Sequence, residues 1–190
     1  MALNLNILLG VTGGVAAYKA VDLASQLTAA GASVRTIMTQ NACRLVTPQC
    51  LEAVTRQPVY ADLWSGTQDH DIEHVSLVAW ASAVVVAPAT ANCLGKIASG
   101  ICDDLLSTVL CVCWQKPVLL APAMNTQMWT NPIVQRNVQT ITGLGFHVIG
   151  PESGRLACGE AGVGRMAEPE RIIEAIRQLT THDARRQTEA

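Results

Sequence analysis

The stretch NILLGVTGGVAAYK, residues 6–19, begins with an apolar run and passes through a glycine-rich turn into a helical pattern. The apolar run over Asn6–Val11 predicts a buried first strand, and Val15–Ala30 predicts a helix that ends at Gly31. A strand, a glycine turn and a helix in this order form the first unit of an α/β fold with a parallel sheet. The N–H groups at the start of such a helix also favour a bound anion.

The same alternation of short apolar strands and helical patterns continues along the chain. The further predicted strands are Ser33–Met38, Ala83–Ala87, Pro117–Ala121 and Phe146–Ile149. Helices are predicted near Pro48–Val54, Ala91–Ala98, Asp104–Cys113 and Asn131–Thr142, and from Pro169 to about Thr180. We expect Pro88 and Pro122 to end the strands before them, and Gln57–Asp71 to be a loop. Continuously apolar strands predict a single-domain Rossmann-like or flavodoxin-like parallel sheet with helices on both faces.

Length and composition favour one domain without a membrane or nucleic-acid partner. The chain has 190 residues, a formal net charge of −2 and only 15% charged residues. Its apolar runs are too short to cross a bilayer, and its Lys and Arg residues form no basic patch. The amino terminus lacks the basic segment of a signal peptide. We therefore expect a cytoplasmic domain over residues 1–181, with a frayed polar tail at 182–190.

The seven cysteines follow no metal-ligand spacing, since no C-x-x-C pair occurs among them. We expect reduced thiols that are packed mostly as small apolar side chains, and no metal site.

The glycine turn after the first strand indicates a phosphate site for a mononucleotide such as FMN rather than NAD. A dinucleotide site would need an acidic residue about 20 residues further on, and none occurs between Asp22 and Glu52. Thr39, at the end of the second strand, offers a hydroxyl group to a phosphate. A glycine turn that serves only the tight packing of helix on strand remains the alternative.

Because ligands of parallel α/β sheets bind at the carboxyl ends of the strands, we expect four strand ends to line one crevice. These ends are Thr12–Gly14, Thr39, Pro88–Asn92 and Pro122–Asn125. Asn125 offers an amide group to a substrate carboxylate, although a turn residue is the alternative. Met124, Met128 and Trp129 fit either a flavin cover or an ordinary core.

His74 stands next to an acidic residue, before the predicted strand Ala83–Ala87. Imidazole is the side chain best suited to exchange protons near neutral pH, whereas a position on a helix surface is the alternative.

The run ACGEAGVGRM, residues 157–166, places one cysteine and one arginine among small residues. We call these ten residues the flap. We expect Gly159, Gly162 and Gly164 to take positive φ, and the run to form neither helix nor strand. This pattern is typical of a lid over an active site, and a glycine-rich surface loop is the alternative.

Six segments together resemble the flavin-containing cysteine decarboxylases over about residues 5–177. They are GVTGGVAAYK (10–19), IEH (72–74), APATAN (87–92), ASGICDDLLST (98–108), PAMNTQMW (122–129) and ACGEAGVGRM (157–166). The resemblance is closest to the branch that acts on 4'-phospho-N-pantothenoylcysteine in coenzyme A biosynthesis. It implies a lyase in which FMN oxidises the substrate to a thioaldehyde, CO₂ loss gives an enethiol, and FMNH₂ reduces it to 4'-phosphopantetheine.

The resemblance also implies roles for particular residues, and it implies a homo-oligomer. The implied catalytic residues are His74 and Cys158, the proton donor of the flap. The implied substrate contacts are Asn125, at the carboxylate, and Met128, Ala157, Gly159, Arg165 and Met166. The implied FMN contacts are Thr12, Gly13, Gly14, Thr39, Leu45, Pro88, Ala89, Thr90, Ala91, Asn92 and Met124. Members assemble as trimers, or as dodecamers of four trimers, with flavin and substrate between subunits.

Four other interpretations remain at this point. The substrate could be a peptide with a C-terminal cysteine, although the flap resembles the phosphopantothenoylcysteine branch. A non-catalytic flavin-binding regulatory subunit would carry a long acidic tail, which is missing here. A relative that makes prenylated flavin would lack the PAMNTQMW and flap motifs. A nucleotide-sugar or NAD-binding domain is disfavoured by the missing acidic residue after the second strand.

Overall fold

A computed structural model describes residues 2–64, 73–157 and 159–188, with backbone only for residues 182–188. Six parallel strands form one sheet, in the order β3-β2-β1-β4-β5-β6. Their bounds are β1 Asn6–Val11, β2 Ser33–Met38, β3 Val59–Tyr60, β4 Ala83–Ala89, β5 Val118–Pro122 and β6 His147–Val148. The strand order reverses between β1 and β4, so the carboxyl ends of these two strands open a crevice. The predicted parallel α/β fold is confirmed.

Helices cover both faces of this sheet. They are α1 Ala17–Ala29, α2 Gln40–Cys43, α3 Pro48–Thr55, α4 Glu73–Trp80, α5 Ala91–Ser99, α6 Leu105–Val112, α7 Thr126–Trp129, α8 Pro132–Gly143 and α9 Pro169–Thr188. A separate antiparallel hairpin consists of β7 Glu152–Arg155 and β8 Ala161–Arg165. In the parts of the chain that the structure describes, no helix combines the length and the apolar character needed to cross a bilayer.

The alternation of side chains along β1 explains why the sheet is buried on both faces. Ile7 and Leu9 join the core under α1, α3 and α9, whereas Leu8 joins the core under α4, α5 and α6. All three side chains are fully buried. Burial stabilises each of them by about 1.5–3 kcal/mol, so both faces of the central strand hold the helices in place.

The two prolines do not end their strands, contrary to the sequence-based prediction. β4 continues through Pro88 to Ala89, and β5 includes Pro122. The pairing register between β4 and β5 shifts between Val86 and Ala89. A proline, which has no N–H to donate, is tolerated at such an irregularity of the ladder.

The prediction for the flap was also wrong, because residues 161–165 form β8. Of its three glycines, only Gly159 has a positive φ, at 89°. A Cβ at Gly162 would collide with Thr126 Oγ1, and a Cβ at Gly164 would collide with the main-chain oxygen of Met124. These two glycines therefore let β8 approach the segment before α7 closely, and they are not needed for flexibility.

Several smaller expectations also differ from the structure. The first helix begins at Ala17 rather than Val15, and the last helix continues to Thr188 rather than ending near Thr180. The predicted loop contains the short edge strand β3, and His74 lies on helix α4. Cys50, Cys102 and Cys111 are exposed, so of the described cysteines only Cys93 and Cys113 are buried as expected.

Candidate functional site

Two cavities meet at the carboxyl edge of the sheet, near the point where the strand order reverses. The hairpin cavity, of about 600 Å³, lies between α1, the Met124–Met128 segment and the β7–β8 hairpin. The sheet-edge cavity, of about 510 Å³, lies between the ends of β1 and β2 and the start of α5. Both cavities are lined by Gly13, Thr90, Ala91 and Met128. The two cavities therefore adjoin along these four residues.

The side chain of Thr12 ties the first turn to the end of β4. Its hydroxyl group donates to the main-chain oxygen of Pro88 at 2.6 Å and accepts from the N–H of Thr90 at 3.1 Å. Thr12 is almost fully buried, and its hydroxyl hydrogen is already used. It therefore shapes the site, and its hydroxyl group is not a donor to a ligand.

The turn after β2, which carries Thr39 and Asn41, packs directly against the glycine turn after β1. A Cβ at Gly13 would collide with Asn41 Cβ and would lie 2.9 Å from the Asn41 main-chain carbon. Close packing is thus one reason for glycine at this position. The Thr39 hydroxyl accepts from the N–H of Ala42 at 3.2 Å, and its hydrogen can still be donated to a ligand in the sheet-edge cavity.

Helix α1 begins at the hairpin cavity without a side-chain cap. No side chain accepts from its first N–H groups, and its first turn carries no acidic residue. Val15, Ala16 and Lys19 line the cavity at this end. The N–H groups of Ala17 and Lys19 donate to the main-chain oxygens of Gly14 and Ala16. The helix dipole and the nearby ammonium group still favour an anion here.

Asn125 lies at the start of α7, where its Oδ1 accepts from the N–H of Gln127 at 2.8 Å. This bond fixes the orientation of the amide, because only the oxygen can accept a hydrogen bond from an N–H group. The N–H of Met124 donates to the main-chain oxygen of Gly164 at 3.0 Å. The segment that carries Asn125 is thus held against β8.

A chain of ion pairs forms the charged wall of the hairpin cavity. Glu168 accepts from Lys19 Nζ at 3.0 Å and from Arg165 Nη2 at 3.3 Å. Glu152 contacts Arg165 Nη2 at 3.2 Å and Arg171 Nη1 at 2.6 Å. Burial alone would raise the pKa of Glu152, but its hydrogen bonds to the two arginines lower it. The wall keeps Arg165 in a fixed position beside the cavity.

Arg155 also lines the hairpin cavity, and it makes no ion pair within the described part of the chain. Together with Lys19 and Arg165 it gives the cavity lining three cationic side chains, whereas Arg171, Glu152 and Glu168 are not among the lining residues. The wall therefore favours an anionic ligand.

A second ion-pair cluster lies in the wall of the sheet-edge cavity. Lys96 Nζ contacts Asp103 Oδ1 at 2.5 Å and Asp104 Oδ2 at 2.6 Å. Asp104 Oδ1 also accepts from the N–H of Ser107 at 2.7 Å, which caps helix α6. Burial acts to raise the pKa of Asp104, but the bonds to Lys96 and Ser107 lower it.

We expect Asp104→Asn to lower the free energy of unfolding by roughly 1 kcal/mol at neutral pH, because it keeps the helix cap and removes the charge paired with Lys96. Asp104→Ala should cost about twice as much, since it also removes the cap. The native pKa of Asp104 is lowered, so its charge stabilises the fold above about pH 4, and this contribution disappears as the pH falls through the native pKa.

Urea unfolding at neutral and acidic pH measures this difference. Asp103→Asn removes the more exposed of the two charges paired with Lys96 and keeps the helix cap, so it should cost less than Asp104→Asn. If Asp104→Asn lowers the free energy of unfolding by the same amount at both pH values, the charge of Asp104 does not stabilise the fold.

The structure brings most of the proposed site residues together. Those that line the two cavities are Thr12, Gly13, Gly14, Thr39, Thr90, Ala91, Asn92, Met124, Asn125, Met128, Ala157, Arg165 and Met166. Those that line neither cavity are Leu45, His74, Pro88, Ala89 and Gly159. Cys158 lies outside the described residues. Within the described residues, no group of three or more His, Cys, Asp or Glu side chains is placed to hold a metal ion.

Sequence reasoning missed several lining residues. They are Tyr18, Lys19, Asn41, Lys96, Arg155 and Leu156. Lys19 lies within the quoted motif GVTGGVAAYK, and its place five residues after Gly14, at the start of the predicted helix, was the available signal. Lys96 and Arg155 gave no such signal, because only the packing of α5 and of the hairpin turns them toward the cavities.

The fold and the two adjoining cavities define an α/β protein whose candidate ligand site lies at the carboxyl edge of its parallel sheet. The chain belongs to the Flavoprotein family, whose model matches residues 1–181.

Curated relatives include the coenzyme A biosynthesis bifunctional protein CoaBC of Bacillus subtilis, 46% identical over 171 residues. The same protein of Haemophilus influenzae is 42% identical over 171 residues. Each match covers 90% of this chain and 42% of the relative. The chain thus spans less than half of the length of these relatives.

Solved structures are also similar. A Cys-to-Ser variant of PPC decarboxylase complexed with pantothenoylaminoethenethiol matches with a TM-score of 0.86 and 36% identity, covering 92% of this chain and 97% of that one. The FMN binding protein AtHal3 matches with a TM-score of 0.82 and 37% identity, covering 92% and 96%. The FMN-dependent cysteine decarboxylase SpaF matches with a TM-score of 0.80 and 32% identity, covering 95% and 97%.

Proposed function

We propose that this protein binds FMN and decarboxylates 4'-phospho-N-pantothenoylcysteine to 4'-phosphopantetheine, a step of coenzyme A biosynthesis in the cytoplasm. One observation carries the proposal: a cavity at the glycine turn joins a second cavity that holds Asn125 beside a cationic wall. The names of the CoaBC relatives and of the similar PPC decarboxylase support this substrate.

The residues present fit a flavin mononucleotide. The uncapped start of α1 and the hydroxyl of Thr39 are suited to its phosphate. Thr90, Ala91 and Met128 line both cavities, and they would flank the isoalloxazine ring between the phosphate end and the substrate. The missing acidic residue after β2 also favours a mononucleotide over NAD. When bound, the flavin supplies the two-electron oxidation and the later reduction of the substrate.

Asn125 is proposed to bind the carboxylate that leaves as CO₂. Its Oδ1 accepts from the N–H of Gln127, so Nδ2 is the donor atom of this amide. A neutral amide orients the carboxylate without holding its charge in a strong ion pair, which would oppose the loss of CO₂. Met128 and Ala157 line the same cavity and would exclude water from the reacting carbon.

The charged wall of the hairpin cavity is proposed to attract the substrate phosphate. Lys19, Arg155 and Arg165 line the cavity, and a phosphate dianion complements them better than the uncharged backbone of a peptide does. This charge balance favours phosphopantothenoylcysteine over a peptide with a C-terminal cysteine.

His74 and Cys158 are proposed to move protons. His74 lines neither cavity, so we propose that it acts in the site of a neighbouring copy within a trimer or dodecamer. The exposed apolar side chains of Val15, Tyr18 and Met128 at the cavity support an interface there. Cys158, between Ala157 and Gly159 of the flap, would donate a proton to carbon as the enethiol is reduced.

The test compares the wild type with Cys158→Ser, both loaded with FMN and mixed with phosphopantothenoylcysteine. We expect the wild type to release CO₂ and form phosphopantetheine, and Cys158→Ser to release CO₂ but accumulate the enethiol, which is two hydrogens short of that product. Mass spectrometry measures both products. Cys50→Ser, which removes another exposed thiol, is the control and should behave as wild type.

Full conversion to phosphopantetheine by Cys158→Ser would refute the role of this cysteine. A wild type that binds no FMN, or that prefers a cysteine-terminated peptide, would refute the proposed function.

A further inference from the structure

Glu168 joins two cationic side chains that line the hairpin cavity, although it does not line the cavity itself. Both of its carboxylate oxygens accept from Lys19 Nζ, at 3.1 and 3.0 Å. Its Oε1 also lies 3.3 Å from Arg165 Nη2. Lys19 lies in the first turn of α1 and Arg165 lies at the end of β8. One carboxylate thus holds cations from two separate elements at the same wall.

The main chain fixes Glu168 at the start of α9. Its main-chain oxygen accepts from the N–H groups of Arg171 and Ile172 at 3.0 and 3.1 Å. The two residues before it, Met166 and Ala167, are fully buried and anchor this segment in the core. The carboxylate therefore extends toward the two cations from a main chain that is held on both sides.

Arg165 is held by two further contacts. Its side chain lies across Gly154 of β7, where a Cβ would come within 3.3 Å of Nε and 3.5 Å of Cζ. Its Nη2 also contacts Glu152 Oε2 at 3.2 Å. Nη1 takes part in neither ion pair, and the Lys19 ammonium group has a third hydrogen beyond the two that Glu168 accepts. Each cation thus keeps a donor for an anion in the cavity.

Without an anion between them, two cations that share one wall would repel each other. The Lys19 side chain is only 17% exposed and that of Arg165 is 40% exposed, so solvent screens this repulsion less than at an open surface. Glu168 offsets the repulsion and fixes both side chains before a ligand arrives. A preorganised pair loses less conformational entropy when it binds an anion than two mobile side chains do.

We propose that Glu168 is a positioning residue, which holds Lys19 and Arg165 together as a subsite for the substrate phosphate without touching the substrate. The inference rests on the proposed function, in which the charged wall receives the phosphate of 4'-phospho-N-pantothenoylcysteine. A phosphate dianion accepts from both cations at once, whereas an uncharged group in the same place gains little from them. Glu168 therefore determines how strongly the protein prefers the phosphorylated substrate over the same molecule without its phosphate.

The experiment measures kcat and KM of the FMN-loaded wild type and of Glu168→Gln with phosphopantothenoylcysteine and with pantothenoylcysteine, which lacks the phosphate. Glutamine has one acceptor oxygen and no charge, so it cannot hold both cations. We expect KM for the phosphorylated substrate to rise roughly tenfold, with kcat within about twofold of the wild type, because the phosphate is bound equally before and during the reaction. The kcat/KM for pantothenoylcysteine should stay unchanged, so the preference for the phosphorylated substrate falls by the same factor.

Glu170→Gln is the matched control, because it removes the same charge two residues further along the chain. Glu170 is exposed, accepts from Gln26 Nε2 at 3.1 Å and does not line the hairpin cavity. This variant should keep the preference of the wild type. Glu168→Asp keeps the charge on a shorter side chain and should lose part of the preference, and it provides the test if Glu168→Gln does not fold.

An unchanged preference in Glu168→Gln, or equal losses of kcat/KM with both substrates, would overturn the proposal, since the second result is that of a general structural role. A lower KM for the phosphorylated substrate would also overturn it, because the carboxylate would then compete with the phosphate for the two cations. Failure of the proposed function is a separate result, in which the wild type itself converts neither substrate.

Discussion

Asn125→Asp should abolish decarboxylation while the protein keeps its flavin and its stability. The second carboxylate would repel the substrate carboxylate in a partly closed cavity, where like charges oppose each other strongly. We expect kcat/KM to fall by roughly 100-fold or more, which corresponds to about 2.7 kcal/mol or more of transition-state stabilisation. Steady-state CO₂ release and the visible flavin spectrum measure the two halves of this prediction.

The local structure makes this substitution informative. Aspartate caps a helix as well as asparagine does, so the bond from the N–H of Gln127 should survive and α7 should stay folded. Asn131→Asp is the matched control, because Asn131 caps α8 in the same way, through the N–H of Ile133 at 2.9 Å, and lines neither cavity. Normal turnover by Asn125→Asp, or equal losses in the two variants, would refute the placement of the carboxylate.

Gly13→Ala should yield protein with greatly weakened FMN binding. The new Cβ would collide with Asn41, and main chain on both sides of the contact would have to move. This movement would displace Thr39 and the start of α1, which we assign to the phosphate. We expect FMN affinity to fall by roughly tenfold or more, a loss of about 1.4 kcal/mol, and stability to fall by about 1–3 kcal/mol.

FMN titration followed by fluorescence, together with urea unfolding of the FMN-free protein, measures the two effects separately. Gly95→Ala is the matched control, because Gly95 lies within α5 and a Cβ there would lie no closer than 3.6 Å to Asn137 Nδ2. That variant should bind FMN normally and gain a little stability from the higher helix propensity of alanine. Unchanged FMN affinity in Gly13→Ala would contradict the phosphate site at this turn.

The sequence predicted the sheet well because its signals are local. The apolar runs of β1, β4 and β5 are long enough to identify buried strands, and their alternation with helices permits essentially one class of fold. The carboxyl ends of parallel strands lie at the same edge of the sheet. The sequence therefore predicts that Gly13, Thr39 and Asn125, which follow three of these strands, belong to one site.

The errors arose where a distant contact decides the local conformation. Proline usually ends a strand, but the shifted register between β4 and β5 accommodates Pro88. Glycine usually indicates a flexible loop, but Gly162 and Gly164 allow close packing of β8 on Thr126 and Met124. Neither contact leaves a trace within the few residues that a sequence pattern samples.

The sequence alone determined the layered α/β architecture, the edge of the sheet that carries the site, and the chemical groups at that edge. Only the tertiary structure decided how these groups are used: Thr12 fastens two strand ends, Asn125 caps a helix, and Glu168 holds Lys19 and Arg165 in one wall. The physical reason is the distance along the chain between the residues involved. Hydrophobic periodicity is a pattern among residues that are close in sequence. Hydrogen bonds and ion pairs join residues that are 76 or 149 positions apart, as in the Thr12–Pro88 and Lys19–Glu168 contacts.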